Sequence, residues 1–199
     1  MEKFSALPRS FYDRSSTEVA KALLGKLLVR KIMGEVLVGM IVETEAYLST
    51  GDEAAHGFKG KTKRNSSLYK EGGHAYVHGM RQYHLLDIVV EGVDVPASVL
   101  IRALEPVQGI EEMRKRRGEN KINKLTSGPG KLCIALGIAG ELDGTDVTDS
   151  KNVLFVADNH AYISPEQILT STRIGITKSA DAPLRFHLID NIHVSKRKG

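Results

Sequence analysis

Six short apolar runs, KLLVR, VLVGMIVE, HAYVHG, HLLDIVVEG, SVLIRALEP and NVLFVAD, recur along the chain and are broken by Gly, Asp and Pro. They are rich in Val, Ile and Leu and have the length of strands rather than helices, so they commit the chain to a sheet. The first two are joined by a short turn near Gly34. Helical signals are few. Ser15 with Glu18 forms a capping box ahead of Val19, Ala20, Leu23 and Leu24, and Gly25 can stop that helix. IEEMRKRR follows Pro106 and Gly109. TSGPGKLCIALGI reads as a turn and a short helix carrying Leu132, Cys133 and Leu136. Ser164, Pro165 and Gln167 repeat the capping signal, and RIGI and RFHLI close the fold. The expected fold class is α/β (α+β), with a mixed or mainly antiparallel sheet. With 199 residues and no repeat or linker, one domain is the simplest organisation. Residues 1–14 read as an N-terminal arm and 194–199 as a basic tail, both flexible.

The apolar fraction of 41% and charged fraction of 26% suit a folded chain. The lone Cys133 cannot form an internal disulfide or a cysteine cluster, which suits a reducing compartment. No segment approaches ~18 uninterrupted apolar residues, so neither a membrane span nor a signal peptide is expected, and a monomer in the cytoplasm is. Net charge is +4. Two internal runs concentrate it, Lys59, Lys61, Lys63, Arg64 and Lys70 in one, Arg114 to Arg117 with Lys121 and Lys124 in the other. They point to a polyanionic partner such as nucleic acid.

GMIVETEAYLST, residues 39–50, sets Glu43, Glu45 and Tyr47 two apart at a strand end. They share one face, and an extended strand spaces neighbours on that face by about 7 Å. Three readings are open: a glycosidase-like carboxylate pair, one buried base with a salt-bridged neighbour, or two surface acids where the strand leaves the sheet. The polar stretch from Thr50 to Gly73 is a long loop region, and such loops usually carry function. His56, His74, His78 and His84 cluster after it, with Tyr47, Tyr69, Tyr76 and Tyr83 able to line a flat pocket for a planar ring. His74 and His78 have ligand spacing only on a helix, and their segment reads as a strand. No metal or cofactor is expected. SGPGK is not a Walker loop, though its turn can present amides to a phosphate or a base edge.

VETEAYLSTGDEAAHGFKGKTKRN, LIRALEPVQG and TSGPGKLCIALGI, in that order and spacing, resemble the alkyladenine DNA glycosylase family, the 3-methyladenine DNA glycosylases of the mammalian type. The resemblance runs from about Ala20 to Leu188. It implies a single compact domain round a curved antiparallel sheet, similar to a formyltransferase C-terminal domain, and a monofunctional enzyme. That enzyme would flip damaged purines (3-methyladenine, 7-methylguanine, ethenoadenine, hypoxanthine) from double-stranded DNA and cleave the N-glycosidic bond with water, without metal. By resemblance Glu45 is the general base, Tyr47 stacks on one face of the base, His56 packs on the other, and Arg102 helps hold the backbone and water. Glu43 supports. Lys63, Arg64 and Lys131 would meet DNA phosphates.

The chain departs from the family at YVHGMRQYHLLDIV, residues 76–89. His78 replaces a pocket tyrosine, and the segment is one residue short. The wedge that fills the gap left by a flipped base then falls on Met80 or Arg81, with Met80 favoured because it carries no charge to strip of water. Asp87 stands where the family has an asparagine at the base's minor-groove edge; it cannot donate, and it can accept from a 2-amino group. Two other readings fit the chain: a damaged-DNA-binding protein of little activity on the same fold, and a transferase of the formyltransferase type.

Overall fold

The computed structural model describes residues 4–195. The first helix, α1 (Ser16–Ala22), opens on the expected capping box, with Ser15 and Glu18 satisfying each other's backbone N–H groups. Strands β1 (Leu27–Ile32) and β2 (Glu35–Tyr47) then form a hairpin. Its two turn residues, Met33 and Gly34, both adopt left-handed φ, the conformation that matches strand twist.

Strands β3 (Ala75–Met80), β4 (Tyr83–Val90) and β5 (Ala97–Gln108) follow the long loop, which holds a short 3-10 turn at Ser66–Tyr69. Helices α2 (Ile110–Arg117), α3 (Ile122–Leu125) and α4 (Pro129–Leu136) lead to β6 (Leu154–Ala157), β7 (Ile168–Ser171) and β8 (Arg185–Leu188). All pairings are antiparallel, in the order β3-β4-β5-β2-β1-β6, with β8 beside β2 and β7 on β8. The result is one α+β domain round a curved sheet.

Three expectations change. First, β2 does not end at Glu43. It runs to Tyr47, flanked by β5 on one side and by β1 and then β8 on the other. A register irregularity between Ile41 and Thr44 bends it there. Second, RIGI is a loop, and the strand of that region is β7, just before it. Third, the described part of the arm is anchored: Leu7 N–H bonds to Val156 O, and Tyr12 is fully buried. Residues 196–199 of the expected tail lie outside the described residues, while Ser195 is buried.

The sheet separates two environments by simple alternation. Val77, Leu86, Ile88, Val99, Ile101, Ala103 and Ala46 join the main core beneath α1 and α4. Thr44 belongs to that side and donates to Ala20 O of α1 at 2.8 Å. The intervening residues His78, Leu85, Asp87, Ser98, Leu100, Arg102 and Tyr47 turn to the other face and line a cavity. No helix among the described residues is long and apolar enough to cross a membrane.

Candidate active site

The cavity measures about 240 Å³ and is closed further by Ala54 and His56 of the long loop, Met80, Pro129 and the Ile174–Ile176 loop. Glu45 is fully buried just behind the lining, bonded to three residues that form it, Ile174, Tyr47 and Arg102. One carboxylate oxygen accepts the Ile174 N–H at 2.7 Å; the other accepts from the Tyr47 hydroxyl at 3.2 Å and lies 3.2 Å from Arg102 Nη1. Burial pushes this carboxyl above the ordinary range and outweighs the opposing pull of Arg102 and the Ile174 amide; nearby Glu43 pushes the same way. A buried carboxylate with raised proton affinity, beside a space for a ring, is equipped to take a proton.

Glu43 is also fully buried but differently employed. It accepts from Arg102 Nε at 3.1 Å, Arg185 Nε at 2.6 Å, and both the N–H and the hydroxyl of Ser195 at 2.6 and 2.8 Å. Its lone pairs are spent on holding two arginines and the chain near its end. Of the three readings open for the acids, two surface acids is ruled out: both are fully buried and both contact Arg102, Glu43 also holding Arg185.

Tyr47 is sandwiched from behind. The Arg173 guanidinium lies 4.6 Å from its ring centroid, and Arg173 is gripped by Asp52 through two bonds of 2.6 and 2.7 Å. Arg173 also donates to Ala46 O at 3.0 Å. Asp52 in turn accepts the N–H groups of Leu48 and Ala54. Burial raises its carboxyl, but the Arg173 bonds and these amides outweigh that and hold it below the usual range. Sequence reasoning missed Arg173, Asp52, Arg185, Ser195 and the Ile174 amide.

At the mouth His56 is exposed, its Nδ1 2.8 Å from the Tyr76 hydroxyl and its carbonyl held by Asn65. Partial desolvation, then the neighbouring His78 ring, lower its pKa, which favours the neutral imidazole. His78 packs edge-on to His56 at 4.5 Å and stacks on Tyr76 at 4.9 Å. Asp87 lines the cavity with both oxygens engaged, one 3.2 Å from His78 Nε2 and the other accepting the Ser98 hydroxyl at 2.7 Å. Met80 ends β3 and is half exposed; Arg81, at the hairpin tip, is exposed and has left-handed φ. Gly130 brings α4 against this hairpin, since a Cβ there would lie 3.0 Å from Tyr83.

The cations divide. Arg64 donates to Gly79 O beside Met80, and with Lys59 it lines a second hollow of about 260 Å³ that shares His56, His78 and Met80 with the first. Lys63 is exposed next to it, and Lys131 is exposed on the first turn of α4, two residues from Pro129 at the cavity. The second basic run is largely engaged elsewhere. Arg114 and Arg116 pair with Glu111 and Glu112 on α2, and Arg117 bonds Leu125 O. The dense basic face expected there is therefore partly neutralised within its own helix. Among the described residues no three His, Cys, Asp or Glu side chains gather into a metal-binding group.

Fold and cavity together define an α+β protein with a cavity lined in part by Tyr47, His56 and His78 and a desolvated carboxylate held against that lining. The comparisons make this specific. Residues 10–192 match the model of the methylpurine-DNA glycosylase family. Similar proteins are found in Methanoculleus marisnigri (47% identical over 96% of this chain and 99% of the relative), Carboxydothermus hydrogenoformans (43%, over 96% and 99%) and Chlorobium phaeobacteroides (40%, over 97% and 98%). Each carries the name "Putative 3-methyladenine DNA glycosylase". The chain belongs to the methylpurine-DNA glycosylase family, and so to the DNA-binding hydrolases of base excision repair.

Proposed function

We propose that this protein flips alkylated or deaminated purines out of double-stranded DNA and hydrolyses the N-glycosidic bond with a water activated by Glu45. The observation that carries the reading is the carboxylate itself: buried, raised in proton affinity, and held by Ile174, Tyr47 and Arg102, three residues that line a ring-sized cavity. A purine inside the duplex is out of reach, so the nucleotide must be extruded at a cost of a few kcal/mol, least at a damaged pair. Tyr47 and the His56–His78 edge take the base between them. Glu45 takes the proton of the attacking water, and its negative charge favours the positive sugar that develops as the base leaves. Arg102 orients Glu45, and Glu43 orients Arg102. Lys63, Arg64 and Lys131 meet phosphates around the mouth. No lysine nucleophile takes part, so no lyase step follows. The protein acts as a monomer in the cytoplasm.

The test is base release, in excess EDTA, from duplexes holding 3-methyladenine, 7-methylguanine, ethenoadenine, hypoxanthine or undamaged guanine. The expected result is release of damaged purines and little or no release of guanine. Tight lesion binding with no release would instead identify a damage-binding protein.

Met80 is the wedge in this reading, an apolar side chain at the hairpin end that enters the stacked gap while Arg81 lies along a phosphate. Met80→Ala is expected to weaken flipping, most at well-paired lesions. Arg81→Ala is expected to weaken binding to all duplexes alike and to lower the salt slope. A fluorescent base beside the lesion measures flipping; loss of its signal in Arg81→Ala alone would transfer the role to the arginine.

A further inference from the structure

Asp87 is an ionisable group in the cavity wall whose partners are an imidazole and a hydroxyl, not an arginine or lysine. The ion pairs around the cavity couple Arg102 to Glu43 and Glu45, Arg173 to Asp52, and Arg185 to Glu43. Asp87 has His78, and its second oxygen has only the neutral Ser98 hydroxyl. The group is also held rigidly, on β4, opposite Leu100 of β5, with 5% of its surface exposed. Its field reaches across the cavity: after burial and Glu45, it is the next charge pushing the Tyr47 phenol upward.

We propose that Asp87, fixed by His78 and Ser98, is a charge selector that ranks cationic purines above neutral ones. This inference rests on the glycosylase reading. The two kinds of lesion meet the charge at different stages. A 3- or 7-alkylated purine is cationic when it enters, so the carboxylate strengthens its capture. As the C1′–N9 bond breaks, the bonding electrons pass to N9 and the base leaves neutral, while the sugar becomes positive. A neutral purine such as hypoxanthine gains nothing on entry. When its glycosidic electrons pass to N9 it becomes anionic unless a proton reaches the ring, and a fixed carboxylate opposes that charge. In both cases the water's oxygen bonds to C1′ and its proton goes to Glu45. Asp87 therefore acts on binding for one class and on the chemical step for the other.

Asp87→Asn keeps the shape and removes the charge; with its oxygen toward His78, its NH2 meets the Ser98 hydroxyl with the direction of that bond reversed. Single-turnover assays on duplexes with 7-methylguanine and with hypoxanthine separate the two stages. The expected result is crossed. Half-saturation for the 7-methylguanine duplex rises about tenfold, and the saturating rate on hypoxanthine also rises about tenfold, each equivalent to about 1.4 kcal/mol. That is roughly half the interaction of two unit charges about 6 Å apart at an effective dielectric of about 20. A gain in rate cannot come from poor folding. Ser98→Ala, which removes the hydroxyl that shields the charge, should shift hypoxanthine the opposite way, to slower release. Equal losses on both lesions, or no change on either, would overturn the selector while leaving the glycosylase reading intact. Release of neither lesion by the unaltered protein would overturn that reading first.

Discussion

Glu45→Gln is expected to slow base release by about 10² to 10⁴-fold, the usual cost of losing a general base, while leaving lesion-duplex binding nearly unchanged. Glutamine keeps the volume and can still accept the Ile174 N–H, but it cannot take a proton from water. Nor can it offer negative charge to the sugar. The pH profile makes the assignment sharper. Burial holds the Glu45 carboxyl above the ordinary range, and only its ionised form acts as a base. The acid limb of single-turnover release should therefore rise through a value above the usual glutamate pKa of about 4.3, and be missing in the variant. A single-turnover rate in Glu45→Gln within about threefold of the unaltered protein would end this assignment.

The chain's strands, its hairpin turn at Met33–Gly34 and its α1 cap could be read locally because each depends on neighbours in sequence. The extent of β2 could not. Periodicity ended the strand where the acids began, because a polar residue in a buried strand has no local explanation. Its explanation is Arg102, 59 residues from Glu43, with Arg185 142 residues away. Arg173 and Asp52, 121 residues apart, form a buried pair that no spacing announces. Conversely, the alternation Ser98-Val99-Leu100-Ile101-Arg102 already carried the division between core and cavity, with polar ends on the face that Tyr47 shares. The roles given to Glu45, Tyr47, His56 and Arg102 came from family resemblance. The fold brings Tyr47, His56 and Arg102 round one cavity with Glu45 bonded to Arg102 and Tyr47 behind it, whereas the basic run at 114–117 proved to be paired within α2 and to α3.

Glu43→Gln should give the converse of Glu45→Gln, a large loss of stability with a smaller loss of chemistry. Glu43 neutralises Arg102 and Arg185, both more than nine-tenths buried. Taking one partner from a buried ionic cluster typically costs about 3 to 5 kcal/mol, because the remaining charges stay buried without compensation. Here the amide would also turn a donor toward the Ser195 N–H or toward an arginine. Glu45 has the opposite balance. Its folded pKa is raised, so the native state binds the proton more tightly than the unfolded chain. The stability this group contributes is present below the ordinary glutamate value and is lost as pH rises through the raised one. At neutral pH its ionised form therefore weighs against folding, which offsets the loss of its contact with Arg102, and Glu45→Gln should cost less stability than Glu43→Gln. Urea unfolding at neutral pH, paired with single-turnover release at saturating enzyme, measures both coordinates for each variant. Equal stability losses in the two variants would mean that the carboxylates are interchangeable members of one structural cluster. A release rate lower in Glu43→Gln than in Glu45→Gln would move the base from Glu45 to its neighbour.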